Sequence, residues 1–490
     1  MANDEARFDV VVVGAGNAAL CAALSARDAG ASVVVLEKAP ASEQGGNCPY
    51  TGGGFRFTHD GYEDVRSLQS EPAEAPPQGV SMAPYTADDF REHLTSVTFG
   101  DIDSELMEVL IAQSRPTVDW MHQKGVEFEL PSSSRLSAGV PSVIPNTVAL
   151  SAARSGPGLV QMLTSASRRN GIIVLYETKM LRLLQDGRGK ISSVVVQDSD
   201  GIHEIQCGGV VLACGGFEAN QEMRVKYLGQ GWEKAKVRGA KYNTGDGHRA
   251  ALDVGAKPFG QWTGCHATPI DADAPTTGVL EVTDAMPRRS YPLGIMVNVS
   301  GLRFLDEGEG FAEQTFVKVG RLILEQERSL AYQIFDVKAM PHLEARYGTA
   351  RGMKADSIAE LAATLGMSAG ILQGTVDAFN AEAHDGEYMP RELDGRATSG
   401  ILPPKSNWAI KLDAPPFVAY AVTGGITYTY GGLRINTDAQ VLNMEDKPIP
   451  GLYAAGEIVG GIFYHNSLRA AGLMHGSVFG KIAGASAARV

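Results

Sequence analysis

The stretch Phe8 to Lys38, FDVVVVGAGNAALCAALSARDAGASVVVLEK, leaves a chain few ways to fold. An apolar run, Val10 to Val13, enters Gly14-Ala15-Gly16-Asn17-Ala18-Ala19; an alanine-rich segment follows, and a second apolar run, Val33 to Leu36, stops at Glu37. This order predicts a strand, a tight glycine turn, a helix and a parallel strand. Gly14 permits the turn, Gly16 lets the backbone approach a pyrophosphate at the helix N-terminus, and Ala19 at the third position keeps helix and strand close. Glu37 falls about 20 residues on, where a carboxylate can bond both hydroxyls of a ribose. A glycine turn alone also occurs without any ligand. The strand, helix, second strand and terminal acid together point to a dinucleotide.

A second glycine cluster, Gly45-Gly46-Asn47-Cys48-Pro49-Tyr50-Thr51-Gly52-Gly53-Gly54, follows the second strand almost directly. It is too glycine-rich for ordinary packing and suits a backbone laid against a flat ring. A flexible surface loop is the rival reading, but flexibility requires no second cluster so soon.

At 490 residues the chain exceeds the size at which one core keeps growing, so two domains are expected. With 44% hydrophobic and 20% charged residues it has the composition of an ordinary globule. A net charge of -13 argues against nucleic acid or an anionic membrane as partner, while leaving room for local basic pockets. The five cysteines, Cys21, Cys48, Cys207, Cys214 and Cys265, form no CxxC or CxxCH, which excludes the usual zinc and haem patterns and suggests a reducing compartment. The N-terminus, MANDEARFDV, has no basic segment or apolar core, and no later stretch reaches about 18 unbroken apolar residues. The reading is a cytoplasmic protein, not membrane-embedded, with no metal.

Along the chain, Tyr62 to Pro84 reads as an exposed loop. Residues 86 to 125 read as helices, with a start signal at Thr86-Ala87-Asp88-Asp89 and a new first turn at Pro116; Leu159 to Asn170 is another helix. Gly171 to Tyr176, Met180 to Leu184, Ile191 to Gln197 and His203 to Ile205 read as a small sheet before Val210 to Ala213 returns to the main one. From about Trp262 to about Val422 the strand-helix rhythm gives way to helices separated by Pro and Gly loops.

GAGNAA, LEK, GGNCPYTGGG, VVLACGGF (210–217), NTGDGHRAALDVGA (243–256), GIMVNVSGLRFLDE (294–307), GGLRINTDAQVL (431–442) and GLYAAGEIVGG (451–461) occur in one order across nearly the whole chain. In that order they resemble the flavoprotein family of fumarate reductase and succinate dehydrogenase, in its soluble single-chain branch. The resemblance implies an α/β fold in which a Rossmann-like FAD-binding domain, residues 1–261 and 423–490, carries an inserted α+β substrate-capping domain, residues 262–422, with the active site between the two. It implies FAD contacts from Gly14, Gly16, Asn17, Ala19, Glu37 and Lys38, from Gly45, Gly46, Asn47, Thr51, Gly52 and Gly53, and from the backbone of Met180 at the adenine. Further contacts are implied from Gly215, Asp246 and Tyr428, from Gly456 and Glu457 at the ribityl chain, and from Gly472 and Leu473 at the pyrimidine.

The chemistry departs from those relatives. Asn47 occupies the place of the histidine that can bond covalently to flavin, so the FAD is expected to be noncovalent. Met286-Pro287 stand where fumarate reductases carry Thr-Glu, Phe311 replaces the proton-donating arginine, and Thr427 and Ser467 replace a substrate histidine and arginine. Of the dicarboxylate set only His266 persists. Tyr291-Pro292-Leu293-Gly294-Ile295-Met296-Val297-Asn298, Arg303 to Gly308, Gly425 to Leu433 and Phe463 to Asn466 are more similar to the tricarballylate dehydrogenase branch, with a departure at 467–471.

Dehydrogenation beside a carbonyl needs a base, a hydride acceptor and polarisation of the carbonyl. The C-terminal segment offers Tyr428, Tyr430, Tyr464, His465 and Arg469. Arg469 suits a carboxylate clamp because Arg binds carboxylates bidentately; Tyr430, His465 and His266 have equally ordinary structural readings, and Arg288 and Arg289 are weaker candidates. The expected function is an FAD-dependent dehydrogenase introducing a double bond α,β to a carbonyl or carboxylate of a small carboxylic or oxo acid, with an external acceptor such as oxygen, a quinone or a carrier protein. Tricarballylate oxidation proper, alkene reduction and a noncatalytic flavoprotein are the alternatives.

Overall fold

The computed structural model describes residues 7–69, 82–130 and 148–489. Two compact units emerge: residues 1–228, 239–265 and 428–490 form the first, and residues 229–238 and 266–427 the second. Residues 229–238, which lie inside the stretch expected in the dinucleotide domain, pack with the second unit.

The first unit is built on parallel strands in the order Pro448–Ala454, Gly201–Leu212, Arg7–Val13, Val33–Leu36 and Ile173–Leu175, with the short strand Gln440–Leu442 antiparallel on one edge. Val10 to Val12 pair with Val33 to Val35 on one side and with Gly209 to Val211 on the other. These valines are buried, as strands covered on both faces must be, each burial being worth about 1.5–3 kcal/mol. The helix Asn17–Asp28 crosses from the first strand to the second, and the terminal helix Ala471–Ala487 packs along it. Gly480 and Gly484 make that approach close, since a Cβ on either would lie 2.3 and 2.0 Å from the carbonyls of Ala18 and Ala22.

Several local expectations change. Ile173–Leu175 extends the main parallel sheet instead of opening the small one, and residues 203–205 and 210–212 belong to one strand, Gly201–Leu212. Its first half pairs antiparallel with Ile191–Asp198 and its second half enters the core, so one long strand joins an antiparallel branch to the parallel strands of a single eight-stranded sheet. Pro116 does not start a helix: Ser104–Gln123 runs through it. Leu110, Ile111, Ser114, Val118 and Met121 keep one continuous buried face across the proline, and that burial outweighs its cost of about 3 kcal/mol. Residues 62–66 form a short helix with Tyr62 and Val65 buried, so the loop expected over 62–84 does not begin there; residues 70–81 and 1–6 lie outside the described residues.

The second unit is organised by a six-stranded sheet rather than by helices and loops alone. Its spine is the thirteen-residue strand Phe417–Thr429, which pairs antiparallel with Ala331–Phe335 and Met353–Ala355 and parallel with Lys236–Val237. Ile295–Asn298 adds to the sheet through Ala331–Phe335, and Cys265–Asp271 joins the spine directly. Strands this far apart in sequence give no alternating signal of their own. Only long-range pairing assembles them.

Candidate functional site

The turn Gly14-Ala15-Gly16 leads into a helix whose first residues have no capping side chain and no acid in the first turn. Unsatisfied amides there make a ready anion site. Gly14 has φ +103°, and a Cβ would lie 2.4 Å from the Ala213 carbonyl, so strand packing itself demands glycine. Gly472, in the first turn of the terminal helix, is exposed and has no atom within 4 Å of where a Cβ would sit. Nothing in the protein demands glycine there, which suits a backbone that a ligand approaches.

Glu37 is buried with its two carboxylate oxygens accepting from the amides of Ala15 (2.9 Å) and Ala39 (2.8 Å). Each oxygen retains a lone pair for a ribose hydroxyl. Burial, against these amide bonds, still raises its pKa. The Glu37 carbonyl accepts from Thr178, which brings Met180, on the next strand, into the same neighbourhood. Lys38 and Asp246 turn to each other, with Nζ–Oδ2 at 2.6 Å and the Thr244 hydroxyl also at 2.6 Å. Burial would raise the Asp246 pKa, but Lys38 and Thr244 bring it down to about 2. The Asn17 side chain faces the last helix, Nδ2 donating to the Leu473 carbonyl and the Ser477 hydroxyl, while its backbone belongs to the turn.

In the second glycine cluster Gly45, Gly46 and Gly53 have positive φ, as do Gly215 and Gly456 elsewhere in the cradle. Thr51 is used within the loop, its hydroxyl donating to the Cys48 carbonyl and accepting from Gly53. Gly52 lies between them. Asn47 joins a polar network that the sequence did not disclose. Its Nδ2 donates to Glu218 Oε1 at 2.7 Å and lies 3.3 Å from Glu457 Oε2, and its Oδ1 accepts from the Ala240 amide. Asn243 donates to Glu218 Oε1 at 2.6 Å, and the Thr429 amide donates to Glu457 Oε1 at 2.9 Å. Glu218 Oε2 is buried and receives no donor. Burial first, then the neighbouring acid, raises the pKa of Glu457, and burial raises that of Glu218. Two buried carboxyl groups that both meet Asn47 do not readily both carry charge, which favours a proton on one of them. Glu218 directly follows the VVLACGGF segment, and that adjacency was the one available sequence signal.

Tyr428 and Tyr430 lie on one face at the end of their strand, ring centroids 5.7 Å apart, with Phe463 against both. The Tyr430 hydroxyl is buried and has no hydrogen-bond partner. Burial raises both phenol pKa values, more than the nearby Ser467 hydroxyl lowers them. Both are therefore neutral O–H donors. His475, missed in the sequence, closes the cluster 6.1 Å from Phe463, with Nε2 unpartnered and its pKa brought by burial to about 4. Tyr464 is half-buried, and burial raises its pKa. His465 is held outside the cluster, Nε2 at 2.9 Å from Asp101 and its amide bonded to Gln261. Arg469 is exposed and forms no ion pair among the described residues. Its backbone is held by Arg56, buried, whose Nε donates to the Arg469 carbonyl at 2.8 Å.

In the second unit His266 is buried, its ring 4.8 Å from that of Phe316. Burial, then Arg289 and Arg238, hold its pKa well below the ordinary value. Arg288 and Arg289 differ in burial, Arg288 being buried and Arg289 half-buried. Arg288 is fully buried against Asp271 at 2.8 Å, and Arg289 bonds Thr268 at 3.1 Å. Among the described residues no group of three or more His, Cys, Asp or Glu is placed to hold a metal, and no helix is long and apolar enough to cross a membrane.

A parallel sheet, an uncapped helix N-terminus behind a glycine turn, and a buried acid ending the second strand define a dinucleotide-binding flavoprotein fold. The chain matches the FAD binding domain family over residues 9–473 and belongs to it; FAD is its cofactor. It is 29% identical to a fumarate reductase (cytochrome) of Shewanella frigidimarina over 489 residues, covering 98% of this chain and 77% of the relative. It is 27% identical to a 3-oxosteroid 1-dehydrogenase of Mycobacterium tuberculosis, covering 94% of each. The structure of the open conformation of a flavocytochrome c3 fumarate reductase superposes with a TM-score of 0.76 at 27% identity, over 100% of this chain and 79% of that one.

Proposed function

We propose that the protein is a dehydrogenase that introduces a double bond α,β to a carbonyl or carboxylate of a small carboxylic or oxo acid. It is an FAD-dependent oxidoreductase acting on CH–CH groups, the class to which its fumarate reductase and 3-oxosteroid dehydrogenase relatives belong by name. The observation that carries the finer reading is the pairing of half-buried Tyr428 with buried Tyr430, whose hydroxyl is unpartnered. Bound FAD supplies the two-electron acceptor that removal of hydrogen from a saturated carbon–carbon bond requires.

The residues of the chain divide the remaining work. Neutral phenols on Tyr428 and Tyr430 donate hydrogen bonds to a carbonyl oxygen as it takes on enolate charge. The same phenols are poor bases, so proton abstraction falls to another group. Arg469, exposed and unpaired among the described residues, takes a substrate carboxylate. Asn47, an amide already engaged with Glu218 and Ala240, forms no bond to the isoalloxazine ring, and the FAD is noncovalent. Electrons leave to an external acceptor, whether oxygen, a quinone or a carrier protein. Five free cysteines support a cytoplasmic location.

Alkene reduction is the second reading, favoured by the fumarate reductase relative and by phenols protonated and able to donate. Mixing the holoenzyme anaerobically with a panel of small carboxylic and oxo acids tests the proposal: at least one acid should bleach the flavin. A panel that leaves oxidised flavin untouched, while an unsaturated acid reoxidises reduced flavin, would establish the reverse direction. Acid precipitation should release all yellow colour into the supernatant.

A further inference from the structure

The turn that carries Arg469 is braced by a buried guanidinium. Arg56, which follows the strand Gly54–Phe55, is only 4% exposed. Its amide donates to the Ala470 carbonyl at 3.2 Å and its Nε to the Arg469 carbonyl at 2.8 Å, so one residue holds two successive peptides of the turn. Ala470 has φ +63°, a left-handed conformation that a residue with a Cβ keeps only where its surroundings impose it. The helix Ala471–Ala487 starts at the next residue without a capping side chain. Its entry therefore leans on Arg56, 413 residues earlier in the chain.

Arg56 is in turn oriented by a chain of hydrogen bonds that runs out to solvent. Its Nη1 donates to the Tyr85 hydroxyl at 2.8 Å, and that oxygen lies 3.0 Å from His93 Nδ1. The guanidinium carbon is 5.4 Å from the centre of the Tyr85 ring, and the rings of Tyr85 and His93 stack at 5.6 Å. A guanidinium can only donate, so the Tyr85 oxygen accepts from Arg56 and its O–H is left to donate to Nδ1. Neutral His93 completes the chain. Imidazolium would aim a second donor at the same oxygen and set a second cation near Arg56. Tyr85 is fully buried and His93 half-buried, and Arg56 forms no ion pair among the described residues. Burial first, then Arg56, lowers the His93 pKa against the pull of Asp89 and Glu92 on its own helix. His59 pairs with Tyr85 through backbone hydrogen bonds, its ring 6.2 Å from that of Tyr85.

We propose that Arg56 is a positioning residue for substrate binding: oriented by Tyr85 and neutral His93, it holds the turn that presents Arg469. The brace stands on the hydrogen bonds alone; its part in catalysis rests on the proposed role of Arg469.

Hydrogen exchange of the holoenzyme, read by mass spectrometry on the peptide spanning 469–474 and corrected for the intrinsic effect of pH, tests the brace without any substrate. Exchange there should quicken as pH falls below about 6 in the wild type and stay level in His93→Gln, which keeps an acceptor for Tyr85 and gains no proton. With the panel acid that bleaches the flavin fastest, the wild-type KM should climb over the same pH range, and in His93→Gln it should not. Arg56→Lys should raise KM about tenfold or more with a smaller change in kcat, because a point charge cannot hold both the Arg469 carbonyl and Tyr85. Wild-type exchange that ignores pH, or the same pH response in His93→Gln, would overturn the brace; His93 is half-buried, so this result stands even where Arg56→Lys fails to fold. A His93-dependent brace with an unmoved KM in Arg56→Lys would overturn the positioning role. Exchange as expected in an enzyme whose flavin responds to no acid or alkene would keep the brace and sink the activity.

Discussion

Asn17 at the start of the first helix donates through Nδ2 to the Leu473 carbonyl of the last helix at 2.9 Å, across 456 residues of chain. The same amide donates to Ser477 at 2.8 Å. One side chain thus fixes the first and last walls of the cradle to each other.

Asn17→Ala should lower the melting temperature. It removes the Asn17 hydrogen bonds and leaves the Ser477 hydroxyl and the Leu473 carbonyl bonded to each other, a loss of about 0.5–1.5 kcal/mol per bond. Thermal melts of the holoprotein check it, and an unchanged melting temperature would remove Asn17 from the packing account.

Glu37→Ala should weaken FAD binding by roughly ten- to a hundredfold, as expected for losing about 1.5–3 kcal/mol of hydrogen bonding to a charged group. Because the carboxylate also ties the Ala15 and Ala39 amides, the apoprotein should melt lower as well. Equilibrium titration of the apoprotein with FAD measures the first effect; an unaltered dissociation constant counts against the ribose contact.

Tyr428→Phe should lower kcat by roughly 10²-fold or more if its O–H supports the transition state, with FAD content and spectrum retained. Tyr430→Phe, which removes an unpartnered buried hydroxyl, should leave stability equal or higher while reducing turnover. Steady-state kinetics on both variants decides between them, since near-normal turnover in one transfers the role to the other.

Glu218→Gln should separate the shared proton from the fold. Gln keeps an oxygen for Asn47 and Asn243 and presents an N–H toward Glu457, as the protonated acid does. The Glu218 pKa is raised in the folded protein, so its contribution to stability is complete below the ordinary carboxylate value of about 4.3 and is lost as pH rises through the folded value. The melting temperature of the variant minus that of the wild type should grow more positive from about pH 4 to about pH 8. A difference independent of pH would mean that the pair holds no proton.

The local chemistry of the cradle was written in contiguous residues. Val10 to Glu37 carries its strands, turn, helix and acid within one short stretch, each specified by near neighbours, and the capping box of Thr86 and Asp89 formed as its spacing required. Pro116 misled because a local rule met a buried face extending beyond it.

What the sequence could not determine is whatever depends on residues meeting from distant segments. It specified that Asn17, Asn47 and Arg289 exist and are polar, but their partners are set by packing: Asn17 faces Leu473, Asn47 faces Glu218 and Glu457, and Arg289 faces Thr268. Hydrophobic periodicity says which face of an element is buried, whereas a hydrogen bond across hundreds of residues depends on the register in which two buried faces meet. That register is fixed by the closely packed tertiary core. The sequence determined a flavin-binding fold and its near contacts; the tertiary structure alone decided which buried carboxylates meet one amide and which polar side chains from distant segments face each other.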